Sequence, residues 1–302
     1  MVSSEKLTLG AKRIEPIATR RERFTVVRRL LGNRKGLIGV ICLLALLIVA
    51  IFSRQIAPYD PDELHPIDQL AGPSGAYWFG TDELGRDVFS RVVFGTRPAM
   101  QAGFLAVFLA AAIGVSTGLA AAYLGGWFDI VIMRIWDTLL AFPTIFLAIG
   151  IVTILGPGWI NAVLAIAVIN MPGFSRIVRA TALSIKDKEF VVAARAIGCS
   201  RWRIARVYLL PNSITPAFVL AAIAVPEAII IEASLSFLGL GSQPPTASWG
   251  NMLSAAQAYL ARSQTYAIFP GLAIMVAVIG MNFFADGLQD ALDPRRTRVA
   301  RK

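Results

Sequence analysis

The sequence predicts an all-α polytopic membrane protein with six transmembrane helices. Of the 302 residues, 56% are hydrophobic and only 16% are charged, whereas a soluble domain of this size carries about 25% charged residues. The charges fall into blocks that are separated by long uncharged runs. A run of about 20 apolar residues is long enough to cross the hydrocarbon core of a bilayer. We therefore expect most of the chain to lie in a membrane.

The first two spans follow directly from uncharged runs. Residues 36–53 carry no charge, and a helix of this length, at 1.5 Å per residue, measures roughly 27 Å. The second run covers residues 98–128 and predicts one span. It contains Gly103, Gly114 and Gly118, which would allow close helix packing in lipid.

The remaining spans need one division. The uncharged run 138–175 is too long for a single helix, and "GPGW" at 156–159 divides it into spans three and four, because proline and glycine end helices. Spans five and six are predicted near 213–238 and 266–288.

The basic residues predict the orientation of these spans. Residues 1–36 carry ten Lys/Arg against three acids, 176–206 carry eight against two, and 293–302 carry five against one. Residues 54–97 carry four against seven acids. Cytoplasmic segments are the Lys/Arg-rich ones. Six spans therefore place both basic tails and the 176–206 block inside, and the acidic segment outside.

One of the basic segments, "EFVVAARAIGCSRWRIARVYLLPN" at 189–212, has helical spacing on both sides of Gly198. Phe190, Ala194 and Ile197 share one predicted face, and Trp202, Ala205 and Leu209 share another. Gly198 permits a change of direction, and "LLPN" is expected to end the second helix. From the residues alone, the apolar faces could rest on the membrane surface or on a partner protein.

This segment resembles the "EAA" loop of ABC importer permeases. The pattern is Ala193-Ala194, three residues, Gly198, nine residues, Tyr208, one residue, then Leu210-Pro211. The resemblance implies that the loop forms the coupling helix that docks on the ATPase subunit. The implied contact residues are Glu189, Phe190, Ala193, Ala194, Arg195, Ile197, Gly198, Trp202, Arg203 and Pro211. Val192 replaces the motif glutamate and Tyr208 the usual isoleucine, so a specific salt bridge at 192 is not expected.

Three further stretches narrow the resemblance. "FGTDELGRDVFSRVVFGTR" (79–97), "EASLSFLGLGSQPPTASWGNML" (232–253) and "DGLQDALDPR" (286–295) are similar to the second permease subunit of importers for dipeptides, oligopeptides, glutathione and nickel chelates. The resemblance implies the type I ABC importer permease fold in a bacterial plasma membrane. It also implies a homologous second permease, two ATP-binding subunits and an external solute-binding protein as partners.

The implied layout has five parts. They are a basic cytoplasmic tail (1–36), a first transmembrane helix (37–57), an external segment (58–97), an ABC-type transmembrane domain of five helices (98–290) with its coupling loop at 180–212, and a basic cytoplasmic tail (291–302).

Catalytic chemistry is not expected in this chain. None of the six lysines is followed by Ser or Thr, so a P-loop is missing, and the single histidine, His65, has no neighbouring cysteine. We expect no catalytic residue, no metal site and no cofactor. Nucleic-acid binding is also not expected, because the basic residues are spread over separate blocks.

Acidic residues within spans need separate treatment, because a charge at the bilayer centre is costly. Glu227, Glu232 and Ser236 lie in or near the fifth span and are candidates for the pathway or for a subunit interface, with Arg97 or another subunit as a partner for the acids. A competing hypothesis is an ion-coupled secondary transporter or channel that uses Glu227 and Glu232. Asp129, Arg134 and Asp137 are expected near the inner end of the third span, with Arg134 and Asp137 as a pair.

Overall fold

The computed structural model describes residues 27–292. Within this range the regular structure is helical, apart from a single antiparallel bridge between Thr81 and Asp87. Most of the two predicted basic tails lies outside the described residues. The helices are α1 (Arg34–Ile51), α2 (Val88–Leu124), α3 (Gly126–Leu140), α4 (Thr144–Leu155), α5 (Trp159–Lys186), α6 (Glu189–Ala196), α7 (Arg201–Phe237), α8 (Trp249–Ala256) and α9 (Thr265–Leu292).

Five of these helices, α1, α2, α5, α7 and α9, are each long and apolar enough to cross a membrane. A sixth span exists if α3 and α4 are counted together, and these two helices meet at an angle of 98°. The break between them includes Pro143, and a proline disfavours helical geometry in the residue before it. The predicted number of spans is therefore reached, but the third span is sharply bent.

The helices extend beyond the uncharged runs. α2 begins at Val88, ten residues before the predicted start and inside the predicted external segment. Asp87 caps it by accepting hydrogen bonds from the amide and hydroxyl of Ser90 at 2.8 Å and 2.6 Å. Arg97 in α2 donates to the carbonyl oxygens of Ala50 and Ile51 at the end of α1. Hydrogen-bond partners that are distant in the sequence therefore allow the helix to contain charged residues, although the charge pattern predicted that it would start later.

Among the described residues, the most extensive contact between two helices is that of α2 with α5, and glycines make it possible. A Cβ atom on Gly118 would lie 2.3 Å from the carbonyl oxygen of Ser175, and one on Gly114 would lie 2.5 Å from Cβ of Phe174. A Cβ atom on Gly103 would lie 3.1 Å from Cγ1 of Ile229 in α7. The prediction that these three glycines allow close packing is confirmed. In lipid no hydrophobic driving force brings helices together, so small residues that allow close contact favour their association.

The first span packs against the last one. A Cβ atom on Gly39 of α1 would lie 2.1 Å from the backbone nitrogen of Phe284 in α9, and one on Gly280 would lie 2.5 Å from Cβ of Cys42. At one end of this pair, the Asn33 side chain donates to Asp290 at 2.9 Å. The N-terminal span is therefore an integral part of the bundle.

The segment between α1 and α2 folds as a small cap. Asp82 forms an ion pair with Arg86 at 2.6 Å, and the ring of Phe79 stacks on Phe269 of α9 at a centroid distance of 3.7 Å. Burial and the neighbouring Asp68 raise the pKa of the Tyr77 hydroxyl to about 12. Tyr77 therefore stays protonated at neutral pH and donates to Asp68 at 3.0 Å.

The prediction that "LLPN" ends a helix is wrong, because α7 continues through Pro211 to Phe237. A π-helical turn at Ala205–Leu209 precedes the proline, and the Leu210 amide donates to the Ala205 carbonyl. This wider turn accommodates a residue that lacks an N–H group. The side chain of Asn212 then donates to the Tyr208 carbonyl at 2.6 Å.

Candidate functional site

The loop predicted to couple to a partner forms a helix–turn–helix at one end of the bundle. α6 ends at Ala196, and Gly198 has a φ of +83°, which favours glycine. No atom lies within 4 Å of the position where a Cβ of Gly198 would stand. Ser200 then caps α7 by accepting a hydrogen bond from the amide of Arg203 at 3.3 Å. The predicted turn at Gly198 is present, and backbone conformation alone explains the glycine.

One side of the helix–turn–helix is buried against the ends of α2 and α5. A small apolar cluster forms there from Ala122, Ala182, Ile185, Val191, Ile204 and Leu209. Lys186 at the end of α5 donates to the carbonyl oxygen of Ala122 at 3.0 Å, which places a cation at the C-terminal end of α2. The loop therefore has a fixed position on the transmembrane bundle.

The opposite side of the loop exposes large apolar side chains. Ile197 is 81% exposed and Trp202 is 74% exposed, and these two residues flank the glycine turn. Phe190 is also exposed, whereas Ala194 is only 3% exposed and faces the bundle. The prediction that Phe190, Ala194 and Ile197 share one face is therefore wrong. Ala194 is buried against the bundle together with Val191, whereas Phe190 and Ile197 are exposed.

The other predicted contact residues are accessible as well. Glu189, Ala193, Arg195, Arg203 and Pro211 are all exposed. Glu189 is the first residue of α6 and Arg195 lies in its last turn, which suits the helix dipole. Within residues 27–292, none of the ion pairs involves Arg195, Arg203 or the nearby Arg201 and Arg206. The open side therefore combines two large apolar groups with several arginines that are not neutralised by the fold.

Sequence reasoning missed part of this site. Val192 and Val207 are exposed beside the predicted contact residues, and Val191, Ile204 and Leu209 form the buried side. Helical spacing indicates which residues share a face, but it does not tell which face the rest of the protein covers. No sequence signal indicated that Lys186 would reach the end of α2.

The candidate residues of the fifth span are not brought together in one site. Glu227 and Glu232 are five residues apart in α7, so they point about 140° apart around the helix axis. Glu227 is exposed, whereas Glu232 is 1% exposed and accepts hydrogen bonds from the hydroxyls of Ser236 at 2.8 Å and Ser242 at 3.2 Å. The predicted pairing of either acid with Arg97 is wrong, because Arg97 binds carbonyls of α1.

The acids of α3 also have other partners than predicted. Asp129 pairs with Arg179 of α5, with nitrogen–oxygen distances of 2.5 and 2.6 Å, and Asp137 pairs with Arg176 instead of Arg134. The two acids are eight residues apart in α3, but their partners are three residues apart in α5. Two ion pairs therefore join α3 to α5.

The comparisons with known proteins agree with this architecture. A family model described as binding-protein-dependent transport system inner membrane component matches residues 111–298, and one described as the N-terminal TM domain of oligopeptide transport permease C matches residues 25–73. The dipeptide transport system permease protein DppC of Alkalihalophilus pseudofirmus is 44% identical over 268 residues, covering 89% of this chain and 88% of the relative. The glutathione transport system permease protein GsiD of Escherichia coli is 44% identical over 269 residues, covering 89% of each chain.

The fold and these matches define a class of protein: a multi-pass membrane subunit of an ABC importer with the type I permease fold. The chain belongs to the binding-protein-dependent transport system inner membrane component family, which places it in a bacterial membrane. It is a transport subunit and not an enzyme.

Proposed function

We propose that this chain forms half of the translocation pathway of an ATP-driven importer for peptides or related small solutes such as glutathione. It would pair with a homologous permease, bind two ATP-binding subunits and receive solute from an external binding protein. The names of the relatives, a dipeptide and a glutathione permease, support the solute class.

The observation that carries the coupling role is the open side of the loop around Gly198. Ile197 and Trp202 project from a loop whose other side is fixed to α2 and α5. Large apolar side chains with arginines at their edge are typical of the centre and rim of a protein interface. We propose that this surface docks on an ATP-binding subunit, with Glu189, Phe190, Ala193, Arg195, Arg203 and Pro211 around it and Ala194 beneath it.

Reconstitution tests the proposed function. Proteoliposomes that contain this chain, the second permease, both ATP-binding subunits and the binding protein should take up alanyl-alanine or glutathione only when ATP is present. Omission of the ATP-binding subunits should reduce uptake to background. An ion-coupled carrier that uses Glu227 and Glu232 would instead take up solute along a proton gradient without these subunits, and that result would contradict the proposal.

The orientation in the membrane can be tested by labelling. The Lys/Arg bias places the Gly198 loop inside the cell and the segment between α1 and α2 outside. In a background with Cys42→Ala and Cys199→Ala, a cysteine introduced by Ser74→Cys should react with a membrane-impermeant maleimide added to intact cells. A cysteine introduced by Ser200→Cys should react only after permeabilisation, and its labelling in intact cells would refute the six-span topology.

A further inference from the structure

A polar cleft with a volume of about 830 Å³ lies at the end of the bundle opposite the Gly198 loop. Its walls come from four separate parts of the chain, at residues 54–62, 94–101, 159 and 242–247. α5 runs from Trp159 in this cleft to Lys186 next to the loop, and its 28 residues correspond to about 42 Å. The volume falls within the range of about 300–1,000 Å³ that is usual for small-molecule sites.

Buried polar contacts hold the walls of the polar cleft from behind. Arg91 is 4% exposed and donates to the Pro61 carbonyl at 2.7 Å, to Asp62 at 3.1 Å and to the Pro245 carbonyl at 3.4 Å. One guanidinium group therefore ties two walls together. Glu232 fixes the wall at 242–247 through its hydrogen bond with Ser242. Sites that are supported in this way keep their geometry without a ligand.

The side chains that line the open part of the cleft carry charges of both signs and retain groups that can bind a ligand. Arg97 uses Nε and one terminal nitrogen on carbonyl oxygens of α1 and lies 5.6 Å from the ring centre of Phe94. Its other terminal nitrogen makes no hydrogen bond within residues 27–292. Gln101, Arg54 and Asp60 are exposed in the same cleft. The cleft thus offers two cations and an amide, together with the carboxylates of Asp60 and of Asp62, the second of which pairs with Arg91.

We propose that the polar cleft is a receiving site for a dipolar solute that carries both a carboxylate and an ammonium group. Arg97 and Arg54 would bind the carboxylate, Asp60 would bind the ammonium group, and Gln101 would bond to a peptide group between them. Charge-assisted hydrogen bonds of this kind are roughly twice as strong as neutral ones. The inference rests on the proposed function, because the importer must supply the solute to this end of the chain.

The first test uses matched neutral variants in the reconstituted importer. Asp60→Asn removes the charge but keeps the oxygen that accepts from the Asp62 amide. We expect this variant, and Arg54→Gln, to lower the maximal uptake rate of alanyl-alanine by about tenfold. The concentration for half-maximal uptake should not change, because the binding protein sets it. Glu63→Gln and Arg262→Gln remove exposed charges that do not line the cleft and should leave the rate unchanged.

The second test detects occupancy directly and does not depend on transport. A cysteine introduced by Gln101→Cys, with Cys42→Ala and Cys199→Ala, is labelled with a sulfonate-bearing thiosulfonate reagent in the purified chain. Alanyl-alanine at millimolar concentration should slow labelling several-fold, whereas N-acetyl-alanyl-alanine amide, which lacks both charges, should not. Equal protection by the two compounds, or none by either, would overturn the proposal.

The two tests separate the inference from the proposed function. If ATP-dependent uptake is missing but the charged dipeptide alone protects the introduced cysteine, the proposed function fails and the site stands. If uptake is ATP-dependent but Asp60→Asn behaves like Glu63→Gln, the site fails and the function stands. If Asp60→Asn instead weakens the association of the solute-free binding protein with the importer, the cleft accepts a side chain of that protein, and the proposal is wrong.

Discussion

Ile197→Asp is expected to abolish coupling while the chain accumulates at the normal level. Ile197 and Trp202 are mostly exposed in the chain itself, so a polar replacement removes little packing within the fold. In an interface, loss of a central apolar group typically costs about 2 kcal/mol or more, and an added carboxylate must also be desolvated. We expect solute-stimulated ATP hydrolysis and uptake to fall by more than about tenfold. Trp202→Ser should have a similar effect.

The control for this prediction is Ile67→Asp. Ile67 is 98% exposed and lies in the cap between α1 and α2, away from the Gly198 loop. This variant should hydrolyse ATP at the normal stimulated rate. Ala194→Asp is not a suitable probe, because it would bury a charge against α2 and α5 and reduce the amount of folded protein. Normal stimulation in Ile197→Asp and Trp202→Ser would contradict docking at this surface.

Gly118→Val is expected to prevent stable folding. The new Cβ would lie 2.3 Å from the Ser175 carbonyl oxygen, and the next nearest atoms are also backbone atoms of Ser175, so no flexible side chain can move aside. Overpacking typically costs about 1–3 kcal/mol and occasionally more, and here the two helices must separate along their shared face. We expect a loss of folded protein in detergent, measured as monodisperse material by size exclusion and as the midpoint of thermal unfolding.

Gly150→Val is the matched control, because nothing lies within 4 Å of the Cβ position of Gly150 in α4. It also replaces a helical glycine by valine. The effect of a β-branched side chain on helix stability is therefore the same in both variants and does not contribute to the difference between them. The variant should unfold close to the temperature of the unaltered chain. A Gly118→Val protein that is as stable as Gly150→Val would show that α2 and α5 pack less closely than described.

The sequence was sufficient to predict the spans, the turn at Gly198 and the glycines between α2 and α5, because each depends on local composition. The ends of the helices were not predictable in the same way. α2 starts before Arg91 and Arg97, and both arginines are tolerated because distant carbonyl oxygens accept their hydrogen bonds. The charge pattern contains no information about such partners.

The orientation of the coupling loop shows the same limit. The spacing of Phe190, Ala194 and Ile197 is compatible with a shared face, but tertiary packing selects Val191 and Ala194 as the buried pair. Likewise, short-range spacing suggested Arg134 as the partner of Asp137, and the fold supplies Arg176 from another helix. Long-range pairing of this kind needs the three-dimensional structure.

The continuity of α5 has a mechanical consequence. This helix runs from the polar cleft to the Gly198 loop over about 42 Å, with Pro172 in its interior. A tilt of about 5° imposed at the loop would shift the far end by roughly 4 Å, about the width of a methyl group. α3 is joined to α5 by the ion pairs of Arg176 and Arg179. A push on Ile197 and Trp202 would thus be carried toward Trp159 along the backbone of one helix, and Pro172 is the point at which that helix can bend.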